Sequence, residues 1–193
     1  MTEFLSFAPP QIDRTEILRY AKSFGNEVTA SVLDEYIEKC EGVLNYNVGF
    51  CELKFIPDGD CCNFCDFSVK SKSLAENLKA AKRVFLAVFS VGHGIDRLIA
   101  KYSRSMPSIA LIINAIGTER VEALADAFTL WLEDKTSLVA TPRFSAGYGD
   151  LPLDTQRNIF ALLDCERRIG LTLNDSLLMS PSKSVTAFVG ITE

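Results

Sequence analysis

The sequence predicts a mixed α/β or α+β fold, in which helices pack on a central sheet. A continuous apolar run from Val84 to Gly92 has the pattern of a buried central strand. Residues 184–191 alternate at strand spacing near the end of the sequence. Other segments repeat apolar residues at helical spacing, and no glycine-rich strand-to-helix fingerprint indicates a Rossmann repeat.

The first helices are predicted from caps and periodicity. Asp13 and Glu16 have the spacing of a capping box, which predicts a short helix ended by Gly25. Apolar residues from Val32 to Cys40 repeat at helical spacing, and Gly42 ends this second helix.

A strand is predicted from Leu44 to Ile56, where the alternation changes phase. A bulge near Gly49 would account for that change. Residues 57–60 form a turn signal, and residues 65–69 are a short strand candidate.

Further helices are predicted in the rest of the chain. Ser73 and Glu76 form a capping box for the first of them. Pro107 separates the next two, because proline interrupts a continuous helix. The four predicted ranges are 74–83, 95–104, 108–132 and 154–165.

Composition and charge limit the functional classes. The 193 residues are 48% hydrophobic and 23% charged, which suits one globular domain over residues 1–193. A net charge of −5 argues against a nucleic-acid surface. The N-terminus lacks a signal peptide and the apolar runs are too short to span a bilayer, so we expect a cytoplasmic protein that does not enter a membrane.

Three cysteines lie close together in the chain. Cys62 and Cys65 have CxxC spacing beside Cys61, which suits a redox pair, half of a metal site or part of a cluster ligand set. No second closely spaced pair supplies four ligands, and His93 is the only histidine. Partly buried free thiols are the preferred interpretation, and their role stays open.

The segment after the long helix has the residue types of a binding loop. Arg143 offers a planar fork for a carboxylate or phosphate, and Tyr148 offers a stacking face with a polar tip. Gly147 and Gly149 allow the backbone to approach a ligand closely. Asp126, on the long helix, lies off the centre of its apolar stripe and is by itself typical of a solvated carboxylate.

Five sequence blocks in order resemble the activation domain of vitamin B12-dependent methionine synthase, especially its short stand-alone form. The resemblance is close over residues 90–193 and loose over residues 1–90. The matching blocks are Val91–Arg97, Asn114–Gly117 with Val121–Phe128, Arg143–Tyr148, Arg168–Leu173 and Pro181–Ala187.

The resemblance implies an α+β fold with a central, largely antiparallel sheet. It also implies binding of S-adenosylmethionine, with no catalytic residue or metal ligand in this chain. The cobalamin would be carried by a partner, a cobalamin-dependent methionine synthase or other corrinoid protein, with flavodoxin or another low-potential reductant supplying the electron. The implied ligand-binding residues are Asp126, Arg143, Ser145, Ala146, Gly147 and Tyr148.

Two other functional classes stay open. One is a non-catalytic interaction or chaperone module for a corrinoid protein, without ligand binding. The other is a redox or metal protein built on the three clustered cysteines. Two departures from the family pattern also bear on ligand affinity: the sequence ends at Glu193, and the N-terminal acidic-aromatic segment of the family has no clear counterpart. Without folate or homocysteine modules, we expect no methionine synthase activity from this chain alone.

Overall fold

The computed structural model describes residues 1–22 and 30–192. Within these ranges, ten strands form three sheets, of which the largest has the order β1-β2-β6-β10-β7 and is antiparallel throughout. The strands are β1 (Glu3–Ser6), β2 (Asn47–Leu53), β3 (Phe55–Asp58), β4 (Cys61–Phe64), β5 (Ser68–Lys70), β6 (Arg83–Ser90), β7 (Val139–Ala140), β8 (Thr172–Leu173), β9 (Met179–Ser180) and β10 (Ser184–Thr192).

The described residues also form seven helices. They are α1 (Arg14–Lys22), α2 (Ala30–Glu41), α3 (Lys72–Leu78), α4 (Gly94–Tyr102), α5 (Pro107–Thr136), α6 (Thr155–Leu163) and α7 (Cys165–Ile169). Within the described ranges, no helix has both the length and the apolar character that crossing a bilayer requires.

The main sheet is covered on both faces. Alternate residues of the central strand β6 point to opposite sides, so Phe89 packs with α1, α2, α4 and α5, whereas Leu86 packs with α3, α6 and α7. The small sheet β3-β4-β5 joins the second side through Cys62 and Phe64. The prediction of an α+β fold with a central antiparallel sheet flanked by helices is therefore confirmed.

The predicted bulge near Gly49 is wrong. Strand β2 pairs with β6 in unbroken register, with Gly49 opposite Val88 and Phe50 opposite Ala87. Both faces of β2 are buried, because helices cover one face of the sheet and the small sheet with α3, α6 and α7 covers the other. The change of phase in the apolar pattern therefore comes from burial on both sides, not from an inserted residue.

The segment between β2 and β6 also differs from the prediction. Cys61 and Cys62 lie in β4, which the sequence did not predict, and residues 65–67 precede β5 instead of forming a strand. Ser71, not Ser73, caps α3, since its side-chain oxygen accepts a hydrogen bond from the backbone N–H of Leu74. The helix ends at Leu78, five residues earlier than predicted.

Other boundaries agree more closely. Asp13 caps α1 by accepting from the backbone N–H groups of Thr15 and Glu16, although the Glu16 carboxylate bonds Arg19 instead of completing the capping box. The expected end at Gly25 lies outside the described residues. The predicted helix over residues 154–165 is divided into α6 and α7 at Asp164, whose φ is 51°.

Candidate functional site

Arg143 connects the loop that follows β7 to the side of α5. Its Nη1 donates to Asp126 Oδ1 at 2.6 Å and to Thr129 Oγ1 at 3.4 Å, and its Nη2 donates to Glu122 Oε2 at 3.1 Å. The Arg143 side chain is 22% exposed. Arg143 and Asp126 are therefore in direct contact, and the arginine bridges helix and loop.

Glu122 and Thr129 are site residues that the sequence reasoning missed. They lie four positions before and three positions after Asp126, a spacing that places all three on one face of α5. This i, i+4, i+7 pattern of polar groups was the available signal in the sequence. The pattern indicates a helix face rich in hydrogen-bond acceptors, and the structure places this face beside Arg143.

The backbone around Arg143 is fixed by the sheet. Phe144 and Phe188 exchange both backbone hydrogen bonds, at 3.0 and 2.8 Å, so the loop begins as an extension of the sheet beside β10. Gly147 then has a φ of 92°, and its N–H donates to the carbonyl of Leu151. A Cβ at Gly147 would lie 3.3 Å from the end of the exposed Leu153 side chain, so the positive φ is the main reason for glycine at this position.

Asp150 anchors the far end of the loop. Its carboxylate accepts from Ser71 Oγ at 2.6 Å and from the backbone N–H groups of Lys72 and Ser73, at the start of α3. These hydrogen bonds, led by that from Ser71, hold the pKa of the Asp150 carboxyl well below its usual range. Arg143 and Asp150 thus tie the two ends of the loop to two different helices.

A cleft of about 450 Å³ lies beside the loop. Tyr148, whose side chain is 60% exposed, stands at its edge together with the exposed Leu153 and Leu178. Deeper in the fold, Gln156 accepts a hydrogen bond from Thr186 Oγ1. The lining consists of Ser145, Ala146, Tyr148, Leu153, Gln156, Leu177, Leu178, Met179, Ser182, Ser184, Val185 and Thr186.

Asp126 faces a second groove, of about 570 Å³, between α5 and the N-terminal segment. The predicted ligand residues therefore do not all line one cavity: Ser145, Ala146 and Tyr148 line the loop cleft, whereas Asp126 lines the helix groove. Arg143 lines neither of these two cavities and is joined to Asp126 by its ion pair.

The three clustered cysteines differ in burial. Cys62 is buried, Cys61 is half-buried and Cys65 is exposed, and none forms a disulfide. Burial raises the pKa of the Cys62 thiol to about 11. Over residues 1–22 and 30–192, no three His, Cys, Asp or Glu side chains are grouped to hold a metal ion. His93 lies at the start of α4, between two glycines.

Comparison with known proteins gives a family and a fold. A family model described as the vitamin B12 dependent methionine synthase activation domain matches residues 66–192, about two thirds of the chain. A crystal structure of the MetH reactivation domain bound to AdoHcy superposes with a TM-score of 0.72 at 14% identity, over 98% of this chain and 78% of that chain. No curated protein sequence matches significantly. The chain therefore belongs to the family of the activation domain of vitamin B12-dependent methionine synthase.

Proposed function

We propose that this protein binds S-adenosylmethionine at Arg143 and presents its methyl group to a corrinoid carried by a separate protein. The observation that carries the proposal is the pairing of Arg143 with Asp126 across the loop and α5, in a chain of this family. The AdoHcy bound to the structurally similar domain is the demethylated form of the same ligand.

The charges of the Arg143 site match an amino-acid ligand. Arg143 has five N–H donors, and three of its hydrogen bonds go to Asp126, Thr129 and Glu122. Its Nε has no hydrogen-bond partner among the residues that the structure describes. A ligand carboxylate would take Nε–H and the remaining Nη2–H, while Asp126 and Glu122 attract the ligand ammonium and sulfonium.

The cleft beside the loop suits the nucleoside part of the ligand. Its volume of about 450 Å³ lies within the ordinary range of small-molecule sites, about 300–1,000 Å³. Tyr148 offers an exposed ring at the edge, and Ser145 offers a hydroxyl. Ser145 and Tyr148 belong to the same loop as Arg143, two and five positions after it in the chain, so one loop carries both parts of the proposed site.

The chain itself needs no general base. The corrinoid of the partner supplies the nucleophile and the redox chemistry, and this protein contributes binding and orientation. The partner would be a cobalamin-dependent methionine synthase or another corrinoid protein, and a low-potential reductant such as flavodoxin would supply the electron. A non-catalytic module that docks on the corrinoid protein without binding ligand is the competing function.

Two measurements separate these functions. Calorimetry should show saturable binding of S-adenosylmethionine to the purified protein. The protein should then restore turnover to an oxidised cobalamin-dependent methionine synthase supplied with S-adenosylmethionine and a low-potential reductant. Equal recovery without the protein would overturn the reactivation role, and binding to the synthase without binding of S-adenosylmethionine would favour the non-catalytic module.

A further inference from the structure

Arg143 is in contact with more negative charge than is needed to neutralise it. Asp126 and Glu122 both ion-pair with its guanidinium, at 2.6 and 3.1 Å, and their side chains are 67% and 40% exposed. One carboxylate balances the arginine, so the cluster of three side chains carries one surplus negative charge. The surplus lies where a ligand of Arg143 would bind.

The neighbouring residues do not remove this surplus. Glu119, one turn before Glu122 on α5, is itself neutralised by the buried Arg120. In the same groove, Glu16 is paired with Arg19, whereas Asp13 adds further negative charge. Opposite charges attract across several ångströms in a partly solvated site, with a strength that salt reduces.

We propose that Glu122 determines ligand specificity, by making the site select the cationic sulfonium ligand over its neutral thioether product. This inference rests on the function proposed above. S-adenosylmethionine and AdoHcy share the carboxylate, the ammonium and the adenosine, and they differ by the methyl group and the positive charge on sulfur. The contacts with Arg143 and the cleft are therefore the same for both ligands, and the surplus charge distinguishes them. Selection of this kind also favours replacement of the product by a fresh methyl donor.

Glu122→Gln tests the charge with little change of shape. We expect the affinity for S-adenosylmethionine to fall about three- to tenfold and that for AdoHcy, which has the ammonium but no sulfonium, to fall by a smaller factor. Glu122→Asp, which keeps the charge, should retain the wild-type affinity ratio. Asp134→Asn is the matched control, because it removes one exposed carboxylate from the same helix about 12 Å beyond Asp126.

The experiment is calorimetry with each ligand at low and high salt, on the wild-type protein and the three variants. The wild-type preference for S-adenosylmethionine should shrink as salt rises. An unchanged ratio of the two affinities in Glu122→Gln would overturn the inference. If both affinities fell equally, Glu122 would only support Arg143. Failure of the wild-type protein to bind either ligand would instead overturn the proposed function.

Discussion

Arg120 lies on α5 and Arg143 contacts the same helix from the loop, and the two arginines differ in burial and in how fully their donors are satisfied. Arg120 is completely buried and donates to both oxygens of Glu119 and to the backbone carbonyls of Pro10 and Gln11. Its Nη1 also lies 3.6 Å from Glu41. Arg143 is partly exposed and keeps Nε without a partner among the described residues.

This difference separates a buried structural ion pair from the site proposed to bind a ligand. The hydrogen-bond donors of Arg120 are satisfied by Glu119 of the same helix and by the carbonyls of Pro10 and Gln11 in the N-terminal segment. Burial without such partners would be costly for a charged group. The Arg143 cluster is partly exposed, and the Nε of its arginine has no partner among the described residues.

The largest expected effect is from Arg120→Met. The change leaves Glu119 buried without its cation and releases the carbonyls of Pro10 and Gln11, so we expect a loss of about 3–5 kcal/mol in the free energy of unfolding. Urea denaturation measures it. Arg143→Met, whose ion pairs are exposed, should cost about 1 kcal/mol or less. Equal losses in the two variants would show that burial does not distinguish the clusters.

A smaller effect is expected from Gly147→Ala. The φ of 92° is unfavourable for alanine, and the new Cβ would press on Leu153, so we expect a loss of about 1–2 kcal/mol and weaker ligand binding. Gly42→Ala is the control, because its Cβ would meet only ordinary contacts at 3.7 Å. Equal unfolding free energies for the two variants would contradict this account of the loop.

The far end of the loop makes a pH-dependent contribution. The pKa of Asp150 is lowered in the folded state, so its contribution to stability is present above the unfolded pKa, near 4, and is lost as the pH falls through the folded pKa. Asp150→Asn should therefore be less stable than wild type at pH 7, and the difference should shrink at pH 3. Denaturation at both pH values measures it; a difference independent of pH would exclude this role.

Much of the fold could be predicted from local signals, and the contacts of the site could be predicted only in part. The strands β6 and β10 could be predicted from residues 184–191 and from the run after Val84, because burial dominates the sequence pattern of each. The buried role of Arg120 could not be found, since its partners Pro10 and Gln11 are about 110 positions away and contribute backbone oxygens. The second acidic partner of Arg143 was missed because the resemblance pointed to Asp126 alone.

The most direct test of the Arg143 cluster is a titration of S-adenosylmethionine into the wild-type protein and Arg143→Ala, with the unfolding free energy measured on the same samples. Loss of the charged hydrogen bonds should lower affinity about 10- to 150-fold. Arg143→Lys should recover part of this loss, because an ammonium lacks the planar fork. Stability should fall by about 1 kcal/mol or less. A large loss of stability with unchanged ligand affinity would contradict the account, since Arg143 would then hold the fold together as Arg120 does.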